Sequence, residues 1–138
     1  MSTLNVDALV GNTSANAITV RGEGTATTSL QQGLAKAWVN FDGTGTVSIR
    51  DDLNTTSITD NAVSSFTMNI TNAMANTNCS PVTAGQRFES STSYAGKIDA
   101  NMASSSTVRL LTGYEDTLTG QIATDLDFNH IAVFGDLA

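Results

Sequence analysis

"KAWVNFDGTGTVSIRDD", residues 36–52, alternates apolar and polar side chains on both sides of a glycine-rich turn. The apolar positions of its two arms are Ala37, Val39, Phe41, Val47 and Ile49. Alternation of this kind places them on one face of each strand. Between the arms, Asp-Gly-Thr-Gly at 42–45 is made of strong turn formers. The stretch therefore predicts a β-hairpin.

The same stretch contains glycines and acidic residues, which also occur in phosphate-binding loops and in catalytic carboxylate pairs. However, Gly-Thr-Gly-Thr at 43–46 lacks the Lys-Ser/Thr of a phosphate-binding loop and the helix that follows it. "RGEGTATT" at 21–28 also lacks these features of a phosphate-binding loop. Asp51 and Asp52 are adjacent, so on a strand they point to opposite faces and cannot act as a pair. The interpretation is a hairpin without cofactor-binding residues.

Short strands separated by turns continue along the chain. Further strands are predicted around Ser57–Thr59 and within residues 65–71, 79–84, 88–96, 106–113 and 125–136. Pro81 belongs at an edge or a bulge, because proline donates no ladder hydrogen bond. Residues 72–78 predict a turn or short helical link, and residues 29–38 predict one or two helical turns. This pattern favours an all-β fold, either an antiparallel β-sandwich or a jelly-roll-like domain.

Residues 1–33 differ from the rest, because their apolar patches are short and include no aromatic residue. The alternation of apolar residues at 4–10 and at 18–20 fits short strands. Such a segment cannot easily bury itself. We expect an extended N-terminal arm at 1–33 that contacts other chains, followed by a single β-sandwich domain at 34–138. The arm residues expected at the interface are Leu4, Val6, Leu9, Val10, Ile18 and Val20.

The charge composition limits which classes of molecule the protein is expected to bind. Asp and Glu number 13 against 6 Lys and Arg, which gives a net charge of -7 at pH 7. This balance argues against nucleic acid and against anionic lipid as partners. No apolar run approaches the ~18 residues of a membrane span, and "MSTLNVDALVGN" lacks the features of a secretory signal. We therefore expect a protein made in a cytoplasm, with no nucleic acid and no membrane among its partners.

Cys79 and His130 are each the only residue of their type. Together they can form neither an intrachain disulfide nor a structural zinc site. Cys79 has no nearby basic residue to lower its pKa, so we interpret it as a small, partly buried residue. His130 would need a neighbouring nucleophile and an orienting acid to serve in a triad, and none can be assigned. We expect His130 to be a packing or interface residue.

Asp125, Asp127 and Asn129 have the spacing that begins a calcium loop, and Asp136 falls where its last ligand would stand. However, His130 occupies the position where such a loop needs glycine, and the following residues are apolar like a strand. An exposed row of polar side chains is the better interpretation. The sequence thus offers no catalytic residue, no metal site and no cofactor, and we expect that the protein is not an enzyme.

Aromatic residues are spread over the predicted strands, and most of them should be in the core. A sugar-binding surface would need exposed aromatic rings beside polar side chains. Tyr94 and Tyr114, close to predicted loops, are the candidates for such a receptor contact.

The central part of the chain has a recognisable motif pattern. It comprises Lys36–Phe41, Gly43–Val47, Ser57–Asn61 and Ala73–Met74, with "MSTLNV" and "IAVFGD" at the two ends. By these motifs residues 33–82 resemble a β-rich virion structural module of tailed bacteriophages, many of them marine or cyanobacterial, often labelled tail fibre proteins. Cys79 departs from the pattern, since the family often has an aromatic residue there.

The resemblance implies a structural part of a virion, usually a homotrimer or another homo-oligomer, assembled in the cytoplasm of a bacterial host. It supplies no catalytic residues. One small domain with an arm, without a repetitive shaft, suits a capsid decoration or cement protein that contacts the major capsid protein through its arm and a sheet edge. The alternative is a short tail-fibre or receptor-binding subunit that contacts a host surface glycan or protein.

Overall fold

A computed structural model describes residues 4–11, 18–21, 24–89, 92–116 and 120–138 of the protein. In these residues the chain is all-β, with antiparallel strand pairs and one helix of 4 residues. Contacts between backbone segments divide the chain into two compact units, Met1–Leu34 and Ala35–Ala138. The all-β, antiparallel fold predicted from the alternation is confirmed.

The first unit contains one small hairpin and one helical turn. β1 (Thr19–Arg21) pairs antiparallel with β2 (Thr27–Ser29), and α1 (Leu30–Gly33) follows. The Ser29 side chain caps α1 by accepting a hydrogen bond from the Gln32 backbone N–H. Residues 4–11 contain no strand, so the strand predicted there from alternation is wrong. The described residues of this unit do not support an extended arm.

The second unit is built on one sheet of 9 strands. Their bounds are β3 (Ala37–Asp42), β4 (Ser48–Leu53), β5 (Thr55–Ala62), β6 (Ser65–Ile70), β7 (Ser80–Glu89), β8 (Thr92–Ser104), β9 (Thr107–Asp116), β10 (Gly120–Ala123) and β11 (Phe128–Phe134). The order across the sheet is β4-β3-β11-β7-β8-β9-β6-β5, and β10 pairs with the end of β9. All of these pairings are antiparallel.

The sheet curls until it nearly closes as a barrel, because its two outermost strands are consecutive in the chain. Asn54 alone separates β4 from β5, at φ 56°. Its side-chain amide donates to the carbonyls of Lys36 and Asn72, and its Oδ1 accepts from the Asn72 backbone N–H at 2.7 Å. The bend at Asn54 therefore carries the chain from one edge of the sheet to the other.

Apolar side chains on the inner face of the strands form the core. The buried members are Ala37, Val39, Phe41, Phe66, Met68, Ile70, Met74, Ile98, Val108, Leu110, Leu126, Ile131 and Val133. Phe41 and Phe66 pack edge to face, with ring centroids 5.4 Å apart. The interior of the barrel-like sheet is thus a packed hydrophobic core.

A loop closes one end of the sheet by inserting Leu126, whose side chain is fully buried. The Leu126 carbonyl accepts from the Gly43 backbone N–H at 3.0 Å and from Nδ2 of Asn129 at 2.8 Å. In the same loop, Oδ1 of Asp125 accepts from the Ser64 backbone N–H at 2.7 Å. The hydrogen bonds that this loop accepts from the Gly43 and Ser64 backbone N–H groups help to hold Leu126 in the core.

The segment between β6 and β7 closes the other end with Met74. Met74 is buried, forms an isolated antiparallel bridge with Leu137, and donates its N–H to the Ser105 carbonyl at 2.8 Å. The Ala75 N–H donates to the Asp136 carbonyl, so the C-terminal residues take part in the same closure. Residues 72–78, predicted to be a turn or helical link, are an irregular loop.

The hairpin at 36–52 is confirmed as β3 and β4, with Ala37, Val39 and Phe41 buried. Asp42 stabilises the turn by accepting from both the backbone N–H and the hydroxyl of Thr44. Ile49 was expected on the inner face, but it is 36% exposed where a register shift interrupts the pairing of β3 with β4. β10 was not predicted.

Candidate binding groove

A groove of about 410 Å³ lies on the outer face of the barrel-like sheet, over β3, β11 and β7. Its lining residues are Trp38, Val39, Asn40, Asp51, Val82, Thr83, Ala84, His130, Ile131 and Ala132. We call it the outer-face groove. It draws on strands that are far apart in sequence but adjacent in the sheet.

The strand register arranges the outward side chains of the groove in two parallel rows. Trp38 is opposite Ala132, and Ala132 is opposite Val82, which makes the first row apolar. Leu53, 47% exposed, is opposite Trp38 and extends this row. The second row is mostly polar and consists of Asp51, Asn40, His130 and Ala84.

Small side chains give the groove its depth. Ala132 lies in the first row between Trp38 and Val82, and Ala84 ends the second row beside His130. Val39 and Ile131 are buried, so their side chains belong to the core and their backbone contributes to the floor. A ligand in the groove would therefore lie against sheet backbone, between an aromatic ring and an imidazole.

A stack of side chains supports His130 from outside the groove. The His130 ring lies parallel to Phe128, at 6.4 Å between centroids and 15° between planes. The guanidinium of Arg50 lies 4.2 Å from the Phe128 centroid and forms an ion pair with Asp42 at 2.8 Å. A partly exposed ion pair contributes at most about 1 kcal/mol. Its effect here is geometric, because it holds Arg50 over the ring that stacks on His130.

Asn40 lies at the centre of the polar row, opposite both Asp51 and His130. Its Oδ1 atom is buried and accepts no hydrogen bond within the described part of the chain. An unsatisfied buried acceptor costs roughly 1–3 kcal/mol. The polar row is therefore the place in the groove where an added hydrogen-bond donor would be most favourable.

His130 is exposed on the outer face of the sheet and lines the groove. Of the six aromatic residues whose side chains the structure describes, only Phe41 and Phe66 are buried, and Trp38 and Phe128 lie on the outer face. The expectation that most aromatic residues are in the core is therefore wrong for the described residues. The sequence already carried a signal for Trp38. In a strand whose Ala37, Val39 and Phe41 face inward, Trp38 and Asn40 must face outward.

The exposed polar row predicted for Asp125, Asp127 and Asn129 is wrong. Asn129 is buried on the inner face of β11, where its amide donates to the carbonyls of Phe41 and Leu126. Asp125 and Asp127 lie in the preceding loop, not on a strand. Among the residues that the structure describes, no three His, Cys, Asp or Glu side chains are grouped to hold a metal ion.

The two tyrosines singled out as receptor contacts come from neighbouring strands. Tyr114 is half-buried on β9, and the Arg87 guanidinium lies 5.1 Å from its ring centroid. The backbone of Tyr94 on β8 pairs with Arg87 on β7, but the Tyr94 side chain lies outside the described residues. A receptor contact through these residues stays a prediction.

Cys79 lies half-buried near the end of the sheet that Met74 closes. Its thiol donates to the Asn76 carbonyl at 3.3 Å. Burial, and secondarily the charge of Asp136, raises the pKa of the Cys79 thiol above its usual value. A thiol that stays protonated is a poor nucleophile.

Several apolar side chains of the first unit are exposed. Leu4 is 77% and Val10 81% exposed, and Val6, Leu9 and Val20 are each more than half exposed. Ile18, also expected at an interface, is partly buried. The interface role of these six residues stays a prediction.

No helix within the described residues is both long and apolar enough to span a bilayer. The chain matches no protein-family model, no curated protein and no solved structure.

Proposed function

We propose that this protein is a structural component of a bacteriophage virion, a capsid decoration or cement protein that contacts the major capsid protein and other copies of itself. The observation that carries the proposal is a contrast between the two units. The second unit encloses its own core, whereas the described part of the first unit leaves Leu4 and Val10 almost fully exposed. Exposed apolar residues of this kind are suited to contact with a neighbouring subunit.

Two further observations support this proposal. The motifs at 36–41, 43–47, 57–61 and 73–74 resemble those of phage virion proteins, and the first two lie in β3 and in the turn between β3 and β4. The barrel-like sheet also leaves one edge each on β4 and β5, where backbone groups can pair with another chain. Neither kind of contact needs catalysis or a cofactor.

The test compares two variants for incorporation into virions of the phage that encodes the protein. L4S/V10S removes two exposed apolar side chains from the first unit, and V63S removes one that is 70% exposed in the turn between β5 and β6. All three positions are exposed, so both variants should fold normally. We expect L4S/V10S to be lost from purified particles and V63S to be retained, as measured by quantitative mass spectrometry.

Incorporation of L4S/V10S at the wild-type level would contradict a contact through the first unit. Absence of the wild-type protein from particles would overturn the proposal as a whole. Cryo-electron microscopy gives the location, since a decoration protein covers the head in many copies.

The outer-face groove favours a second candidate, a short tail-fibre or receptor-binding subunit. A concave site with an aromatic ring and several polar groups is typical of ligand binding, and a decoration role does not require one. A few copies at the tail, rather than many on the head, would select this second candidate.

A further inference from the structure

We propose that the outer-face groove binds a neutral saccharide, with Trp38 as the stacking surface and the row of Asp51, Asn40 and His130 as its hydrogen-bonding side. The inference does not rest on the virion proposal, because it concerns only residues of the second unit. It also differs from a receptor contact at Tyr94 and Tyr114, which are not among the lining residues of the groove.

The size of the groove points to a small ligand. Its volume of about 410 Å³ lies near the lower end of the range for small-molecule sites, which is about 300–1,000 Å³. A stable protein–protein interface needs a much larger contact area, on the order of 800 Å² from each partner. A ligand of about one or two sugar rings is of the right size.

The two rows match the two sides of a pyranose ring. One face of such a ring presents C–H groups, which pack on an aromatic surface, and Trp38 with Val82 and Ala132 provides an apolar row for that face. The hydroxyl groups at the ring edge both donate and accept hydrogen bonds. The polar row meets them with the carboxylate of Asp51, the amide of Asn40 and the imidazole of His130.

Charge selects a neutral saccharide over an anionic one. No Lys or Arg is among the ten lining residues, whereas the carboxylate of Asp51 lines the groove. A phosphate, sulfate or uronate group would meet a like charge there. A neutral sugar can instead donate its hydroxyls to the Asp51 carboxylate in a charge-assisted hydrogen bond.

The unsatisfied Oδ1 of Asn40 favours a ligand rich in donors over a purely apolar one. A hydrocarbon surface would leave this acceptor without a partner and would also bury the Asp51 carboxylate, which is costly. A saccharide hydroxyl that donates to this oxygen would satisfy it.

Strand pairing fixes the shape of the groove. β11 pairs with β3 over five residue pairs and with β7 over seven, which fixes the spacing of Trp38, Ala132 and Val82. On the other side, the stack of Arg50 and Phe128 supports the His130 ring. Pre-formed sites lose less conformational entropy on binding.

Trp38 makes the test direct, because it is the only Trp in the chain and it lines the groove. The full-length protein is first screened on an array of neutral and anionic glycans. It is then titrated with methyl glucoside, methyl mannoside, methyl galactoside, N-acetylglucosamine and any array hit, and followed by Trp fluorescence and saturation-transfer NMR. We expect a saturable response to at least one neutral sugar, and none to glucuronic acid.

The deciding variants fill the groove without removing Trp38. A132L places a larger side chain in the first row and A84L places one in the second row, both at positions that face outward. A103L is the matched control, because it makes the same change at an exposed position of β8 outside the groove. We expect A132L and A84L to weaken saccharide binding by about tenfold or more, and A103L to bind as the wild type does.

Three results would overturn the proposal. The first is the absence of a saturable response to any neutral glycan, and the second is equal binding by A132L, A84L and the wild type. The third is a Trp38 signal that changes with protein concentration alone, which would assign the groove to a second copy of the chain.

Thermal melting of each variant shows that it is folded. A negative result in these binding experiments would not contradict the proposal that the protein is part of a virion. The two proposals can therefore be tested separately.

Discussion

Leu126 depends on two glycines that leave room for it. A Cβ atom on Gly85 would lie 2.7 Å from Cδ1 of Leu126, and one on Gly96 would lie 2.5 Å from the same atom. Gly85 and Gly96 are directly opposite each other on β7 and β8. The glycines are thus required at this point by close packing, and Leu126 fills the volume that two side chains would otherwise occupy.

This packing predicts coupled effects of mutation. L126A should lower the free energy of unfolding by about 2–5 kcal/mol, because it leaves a cavity in the core. G85A should lower it by about 1–3 kcal/mol, because the three atoms nearest its new methyl group, in the side chains of Leu126 and Ile98, would lie at 3.0 Å or less. In the double variant the methyl group occupies part of the cavity, so the combined loss should be smaller than the sum. Urea denaturation followed by Trp38 fluorescence measures all three.

G33A is the matched control, because a Cβ atom there meets nothing within 4 Å. Its free energy of unfolding should stay within about 0.5 kcal/mol of the wild type. Strictly additive losses in the double variant would show that Leu126 and Gly85 do not compete for the same volume.

At the scale of elements, the bend at Asn54 joins the two outermost strands of the sheet, β4 and β5. It combines a left-handed backbone with side-chain hydrogen bonds to residues on both sides, Lys36 and Asn72. Asparagine tolerates the left-handed region better than other residues with a side chain. One residue thus supplies both the turn from β4 to β5 and the contacts that hold it.

Two substitutions separate these contributions. N54G keeps the backbone conformation but removes the hydrogen bonds, and should cost about 1–3 kcal/mol of unfolding free energy. N54A removes the hydrogen bonds and also strains the backbone, so it should cost about 1 kcal/mol more than N54G. Urea denaturation gives both values.

Ser64, at φ 67°, provides the control. Its backbone N–H and carbonyl make the contacts to Asp125 and Thr112, so S64G should cost little. If N54G and N54A were as stable as the wild type, the bend would not be what holds β4 and β5 together.

Local patterns predicted the individual strands better than the way they combine. Alternation identified β3, β4 and β6, because the period of two is a property of neighbouring residues. It missed β10, a four-residue strand with only one partly buried side chain. The inner face of Asn129 did follow from alternation, since Asn129 is two residues before the buried Ile131. Its polarity suggested an exposed position instead, but its amide is buried and donates to the Leu126 and Phe41 carbonyls.

The groove could be predicted only in part from the sequence. The outward direction of Trp38 follows from its neighbours in β3. The depth beside it comes from Ala132 and Ala84, which are distant in sequence and become neighbours only through the order β3-β11-β7. Pairings between such distant strands depend on the whole sheet, and no short window of sequence contains them.

At the scale of the whole molecule, the buried hydrophobic residues that the structure describes all lie in the second unit, from Ala37 to Val133. The described residues of the first unit have backbone pairing between β1 and β2 but no buried residue. Stability of the chain should therefore come from Ala35–Ala138, since apolar burial is the main favourable term in folding.

The last prediction concerns a fragment that lacks residues 1–34. It should fold cooperatively, with a free energy of unfolding within about 1 kcal/mol of the full chain, because none of the buried hydrophobic core is removed. Urea denaturation of both proteins, followed by Trp38 fluorescence and by circular dichroism, checks this. The fragment should also keep the outer-face groove, so any saccharide that binds the full chain should bind it equally, whereas incorporation into virions should be lost. A fragment that unfolds without a cooperative transition would show that the core of the second unit is not sufficient by itself.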